Sequence, residues 1–183
     1  MVARNLELKA RCTAARSAEI AAICVAQARS PLRTLCQRDT YFRVPQGRLK
    51  LREISDETGE SAELIQYTRP DLDGMRVSTY RRTILDPDNA RILRESLAEA
   101  LGTLVEVRKR RDLAILWRTR VHLDEVDTLG TFIELETVLE DGPESEERGR
   151  AEYEMVCELL GLGDLESVAG SYSDLLLAEE MRR

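Results

Sequence analysis

Several segments of this 183-residue chain carry a charged side chain at every second position. In "RLKLREI" (48–54), Arg48, Lys50 and Arg52 alternate with Leu49 and Leu51. In "VRKRR" (107–111), Val107, Lys109 and Arg111 share one side. "RTRVHLDEV" (118–126) puts Arg118, Arg120, His122 and Asp124 opposite Val121 and Leu123, and "FIELE" (132–136) puts Phe132, Glu134 and Glu136 opposite Ile133 and Leu135. Near the start, "RNLELKARC" (4–12) sets Leu6 and Leu8 against Asn5, Glu7, Lys9 and Arg11. A period of two is that of a β-strand with one dry and one charged face. Any one such strand is an ordinary strand wetted on one side. Many of them with cationic faces, in a chain acidic overall, point to a ligand of several negative charges such as a triphosphate. Glu134 and Glu136 lie one pleat repeat apart, about 7 Å, and such carboxylates suit hard divalent cations, Mg²⁺ or Mn²⁺, that also grip phosphate oxygens. His122 is the sole histidine; a base role is weighed against the plainer reading, a structural hydrogen bond.

The elements that must position these groups are legible from local signals. Residues 13–29 read as an Ala-rich helix closed before Pro31, and 86–102 as a helix opened by Asp86-Pro87 and stopped by Gly102. "SEERGRAEYEMVCELLGLG" (145–163) reads as a third helix, and "GSYSDLLL" (170–177) as a short strand or a docked tail. The strands are the segment 4–12, "DTYFRVP" and "RLKLREI" joined at Gln46-Gly47, "AELIQYTRP", "RVSTYRRTIL" after a turn at Asp71–Gly74, "LVEVRKRRDLAILW", "TRVHLDEVD" and "TFIELETVLE". Tyr67 and Arg69, and Arg76, Ser78, Tyr80 and Arg82, join the charged side. Eight strands with turn-length connections and three amphipathic helices predict an α+β fold in one domain, 1–183. The expected arrangement is an eight-stranded antiparallel β-barrel, a tunnel with a charged lumen, covered by helices. In that arrangement the carboxylates are too few to neutralise the cations, and Trp117 belongs to the outer core.

Composition narrows the classes. Apolar content of 43% and charged content of 33% suit a globular protein and exclude a disordered one. No run reaches membrane-span length, and the first residues have no apolar signal core, so a cytoplasmic protein is expected. The net charge of −7 argues against nucleic acid. "RKRR" (108–111) imitates a basic patch, but in a strand its residues divide between two faces. Cys12, Cys24, Cys36 and Cys157 form no C-x-x-C pair and read as free thiols, with Cys12 and Cys24 as small buried groups.

These residues carry a family resemblance. "NLELKAR" resembles the E-x-E-x-K signature of the CYTH superfamily, the triphosphate tunnel metalloenzymes. "DTYFRVPQGRLKLRE", "LIQYTRPD", "VRKRRDL", "TRVHLDEVDTLGTFIELE" and "GSYSDLL" follow in the order of its class IV adenylate cyclase-like branch. The resemblance implies an eight-stranded tunnel binding triphosphate and divalent metal. It places Lys9, Lys50, Arg52, Arg69, Lys109 and Arg111 on the triphosphate, with Arg82 and Arg120 joining by parity. It gives Glu7, Asp124, Glu134 and Glu136 to the metal, with Glu7, Lys9 and Asp124 in catalytic roles. Asn5 stands where the family has its first glutamate. The implied function is a metal-dependent enzyme acting on ATP, thiamine triphosphate or inorganic triphosphate, as a cyclase making cyclic AMP and pyrophosphate or as a triphosphate hydrolase. The alternative is a non-catalytic polyphosphate or nucleotide-binding module. Neither nucleic acid nor membrane is an expected partner, and a homodimer is left open.

Overall fold

A computed structural model describes residues 4–68, 76, 77, 79–139 and 143–182. The strands are β1 (Arg4–Arg11), β2 (Arg33–Phe42), β3 (Arg48–Asp56), β4 (Gly59–Thr68), β5 (Arg76–Val77), β6 (Thr79–Leu85), β7 (Thr103–Leu116), β8 (Thr119–Val126) and β9 (Gly130–Leu139). The helices are α1 (Ala14–Gln27), α2 (Pro87–Leu101), α3 (Pro143–Leu159) and α4 (Tyr172–Glu180). Helix ends carry the expected signals. Thr13 caps α1, Asp86 caps α2 with Pro87 at its first turn, and Gly102 closes it.

The nine strands among the described residues form one antiparallel sheet in the order β5-β1-β9-β8-β7-β2-β3-β4-β6. This corrects the closed barrel expected from the sequence. Among the described residues the expected single strand 76–85 comprises β5, which pairs with β1, and β6, which pairs with β4. Among the described residues no ladder joins β5 to β6, so the sheet is open and its ends are two strands adjacent in the chain. The expected turn at 71–74 lies outside the described residues.

Hairpin chemistry is as expected between β2 and β3. Gly47 adopts φ +65°, and a Cβ there would stand 2.8 Å from the Tyr67 carbonyl oxygen, so the turn requires glycine twice over. Trp117 departs from its expectation: it sits in the β7–β8 turn at φ 54° and is 51% exposed, outside any core. "GSYSDLLL" is not a strand; it docks on the inner face, and from Tyr172 it does so as the helix α4. Ser171 and Asp174 form a capping box at its start, a signal present in the sequence as S-x-x-D.

Burial follows the alternation. On the outer face, α1 and α3 cover Ala114, Leu116, Val121, Leu123, Ile133 and Leu135, with Ile20 and Cys24 supplied by α1, Val156 by α3 and Leu160 by the turn just after it. α2 covers Phe42, Leu51 and Ala62. A third cluster lies on the inner face, where Tyr172 of α4 joins Tyr41, Val105, Val107 and Phe132. The inner face is therefore apolar where α4 docks and charged elsewhere. Among the described residues no helix is long and apolar enough to cross a membrane.

The two faces predict opposite responses to one substitution. Leu135 is fully buried and Ile84 is 63% exposed. Leu135→Asp places an unpaired carboxylate under the helices and removes about 3 kcal/mol or more of stability, whereas Ile84→Asp stays within about 1 kcal/mol. Urea melts of the two variants measure the difference.

Candidate functional site

Alternation and register together gather the charged side chains. On β3 and β7 the period of two sends Lys50 with Arg52, and Lys109 with Arg111, to the inner face. Antiparallel pairing then sets Asp39 opposite Arg52, Asp124 opposite Arg111, Lys9 opposite Glu134, and Glu7 opposite Glu136. These groups converge on a cavity of about 780 Å³. Lys9, Lys50, Arg52, Arg82, Lys109, Arg111 and Arg120 line it, together with Glu7, Asp39, Glu63, Glu134 and Glu136.

Two buried carboxylates hold the central cations. Asp39 accepts from Arg52 Nε at 2.6 Å, Arg52 Nη2 at 2.6 Å and Lys50 Nζ at 2.7 Å. Asp124 accepts from Arg111 Nε at 2.6 Å, Arg111 Nη2 at 2.5 Å, Lys109 Nζ at 3.2 Å and the Tyr172 hydroxyl at 2.8 Å. Burial alone would raise both carboxyl pKa values. The facing cations overcome it and hold Asp39 and Asp124 below the usual carboxylate range. Burial and then the Arg111 charge lower the Lys109 ammonium to about 8. Burial, followed by the Glu134 and Asp124 charges, raises the Tyr172 phenol, which therefore keeps its proton and donates to Asp124.

Glu134 links a third cation to this group. It lies 2.9 Å from Lys9 Nζ and accepts from Arg111 Nη2 at 2.6 Å. Lys9 Nζ also donates to the Gly170 carbonyl oxygen at 3.0 Å and stands 4.2 Å from the centre of the Tyr172 ring. His122 is buried with Nδ1 3.6 Å from Glu134 Oε2, and desolvation together with the Arg111 charge lowers its pKa, favouring neutral imidazole. At the exposed edge Arg120 meets Glu136 at 3.3 Å, and Arg82 meets Glu63 at 3.4 Å.

The cavity thus brings together Glu7, Lys9, Lys50, Arg52, Arg82, Lys109, Arg111, Arg120, Glu134 and Glu136, with Asp124 fully buried beneath them. Arg69 and the side chain of Asn5 lie outside the described residues. Sequence reasoning missed Asp39 and Glu63, and with them much of the internal neutralisation. The signal was available, because Asp39 is the acid of "DTYFR" and shares the parity of Tyr41 on a strand beside Lys50 and Arg52.

Among the described residues no three histidine, cysteine or acidic side chains converge closely enough to hold an ion. The Asp124 oxygens are already occupied by three donor residues. Glu7 and Glu136 suit a cation better: two carboxylates stand directly across a ladder on the cavity wall, with Glu134 one repeat along. Like charges so placed repel unless something positive lies between or beside them, and Arg120, 3.3 Å from Glu136, already supplies part of that charge.

The architecture is shared with solved structures. The PH1819 protein of Pyrococcus horikoshii OT3 is similar with a TM-score of 0.70 and 21% identity, over 96% of this chain and 99% of that one. A putative adenylyl cyclase from Hippeastrum, described with a dominant triphosphatase activity, gives a TM-score of 0.70 at 15% identity, over 96% of each chain. A putative adenylate cyclase from Vibrio parahaemolyticus gives 0.68 at 18% identity, over 96% of this chain and 99% of that one. At these identities the likeness is one of fold. No curated protein matches the sequence. A CYTH domain model matches residues 3–172, nearly the full length, and on that match the chain belongs to the CYTH domain family.

Proposed function

We propose that this protein is a divalent-metal-dependent enzyme that binds a triphosphate compound in the cavity and hydrolyses it. The observation that carries the reading is the convergence of Lys9, Lys50, Arg52, Lys109 and Arg111 on one cavity in a chain of net charge −7. Phosphate oxygens are the ligands such a set of guanidinium and ammonium donors recognises. Family membership and the fold shared with the Hippeastrum protein support hydrolysis as the reaction. A class IV adenylate cyclase-like outcome, in which the 3′-hydroxyl of ATP attacks the α-phosphorus and pyrophosphate leaves, is the competing product pattern.

Glu7 and Glu136 would hold Mg²⁺ or Mn²⁺, with Glu134 joining them only once the triphosphate has drawn Lys9 and Arg111 away from it; the metal would supply positive charge against the phosphate oxygens as they gain negative charge. The protein's own cations do the rest. Arg52 and Arg111, each fixed by a buried carboxylate, orient the phosphates. Lys9, beside Glu134, meets the ligand where Glu134 would also meet the metal. A non-catalytic binding module is favoured by one observation, the engagement of Asp124 and Glu134 by cations of the protein itself.

A product screen separates these readings. ATP, thiamine triphosphate and inorganic triphosphate are each incubated with Mg²⁺ or Mn²⁺. Orthophosphate release that stops on chelation supports the hydrolase, cyclic AMP with pyrophosphate identifies a cyclase, and tight binding without product identifies a module. In calorimetric titrations Arg52→Ala and Arg111→Ala each weaken triphosphate binding by about 1.5–3 kcal/mol. Glu134→Gln raises the Mn²⁺ concentration needed for half-maximal product release, while triphosphate affinity in chelator does not fall, because Lys9 and Arg111 lose an internal competitor.

The lowered Lys109 pKa gives a pH signature. Its free-state value of about 8 lies below the ordinary 10.5, and bound polyanion favours the charged form. Below pH 8 Lys109 is charged both free and bound, so its protonation contributes no linkage. As pH rises through 8 the free protein loses the proton first, so binding takes one up and affinity declines. Titrations at pH 7 and pH 9, in buffers of different ionisation enthalpy, measure this uptake, and Lys109→Met abolishes it.

A further inference from the structure

The two Lys-x-Arg pairs are built alike. Lys50 and Arg52 on β3 share Asp39 of β2, and Lys109 and Arg111 on β7 share Asp124 of β8. In each case the aspartate stands directly across the ladder from the arginine. Each arginine gives Nε and Nη2 to the carboxylate, which leaves Nη1 outside that pairing. Each lysine gives Nζ to the same carboxylate and lies near a tyrosine ring, with Lys50 5.3 Å from the centre of Tyr41 and Lys109 4.8 Å from that of Tyr172. The family resemblance assigns a role to Asp124 and none to Asp39.

We propose that Asp39 is a positioning residue for the triphosphate: it locks the Arg52 guanidinium and the Lys50 ammonium so that their remaining donors face the cavity, making the β2–β3 fork the counterpart of the β7–β8 fork. The inference rests on the triphosphate reading. A free arginine samples many rotamers, and ordering it on binding costs affinity; a guanidinium already held along one edge presents its other edge at little cost. Asp39 is 3% exposed, so it stays with its cations rather than turning to solvent, and the ligand takes the donors left over. A carboxylate that merely competed with the ligand would act in the opposite direction, because removing it would tighten binding.

The test is a double-mutant cycle read by calorimetric titration with inorganic triphosphate in chelator. Asp39→Asn lowers affinity about tenfold. The double variant Asp39→Asn/Arg52→Ala binds no more than about threefold more weakly than Arg52→Ala alone, because Asp39 acts through a side chain already gone. In Asp39→Asn/Arg111→Ala the two losses multiply, which a residue acting only on its own fork requires. Asp39→Glu keeps the buried charge and protects the fold, yet shifts the fork and lowers affinity several-fold; it carries the test if Asp39→Asn does not fold. Unchanged or tighter binding in Asp39→Asn or Asp39→Glu overturns the proposal, as does a loss that multiplies fully with Arg52→Ala. No binding by the wild type overturns the triphosphate reading, and the proposal with it. Binding by the wild type with these variants indistinguishable from it overturns the proposal alone.

Discussion

Buried charge needs a partner, and the inner half of this structure depends on that requirement. An isolated ammonium or guanidinium removed from water costs several kcal/mol even after relaxation. Lys50, Lys109 and Arg111 are all less than a tenth exposed. They are tolerated because Asp39 and Asp124 sit among them and because the register of β2 on β3 and of β7 on β8 brings each acid to its arginine. A slip of one residue in either ladder would turn these charges toward the helices and the leucines toward the cavity. The ion pairs and the apolar outer face therefore specify the same register, and each would be violated if the other were lost.

The placement of the helices follows from the same economy. Strands β1–β4 and β7–β9 have one face for helices and one for charge or for α4, so each is covered on one side and lined on the other. The outer helices divide the work, with α1 and α3 over β7–β9 and α2 over β2–β4. α4 enters from the inner side and joins the charged region to an apolar one. Its Tyr172 packs edge-on against Phe132 at 5.1 Å, donates to Asp124, and offers its ring to Lys9 and Lys109. A single phenol thus ties the last helix to both buried chemistries, which is why the inner face carries a core as well as a site.

Period-two alternation made the strands and their faces readable from sequence, since it depends only on backbone geometry. Leu135 and Val121 fall outward and Lys50 and Arg111 inward, as the spacing implies. Closure was not readable: it depends on how the ladders along β4 and β1 end, and side-chain alternation shows which face a residue takes but not where a ladder ends. The helix at 172–180 was hidden because its apolar run is short, although its capping box stood in plain view. Asp39 was passed over for a different reason. A sequence pattern shows which face an acid takes but not which cation lies across the ladder, and the pairing with Arg52 exists only once two strands are in register.

That pairing changes what a cationic cavity means. Counted from sequence, the inner face holds a large unmet positive charge that only a polyanion could satisfy. Among the described residues Asp39, Asp124 and Glu134 already meet most of it, and basic side chains lining the cavity exceed acidic ones by a small margin. Attraction at a distance is correspondingly modest, so specificity for the proposed ligand would come from geometry: donors held in fixed directions at fixed spacing would let a chain of phosphates meet several at once while an isolated anion meets one or two. The carboxylates that weaken the field are the same ones that fix those directions. A cavity built this way gives up long-range pull for preorganisation, and on the proposed triphosphate reading it would select its ligand by the number of phosphate oxygens that can be engaged together.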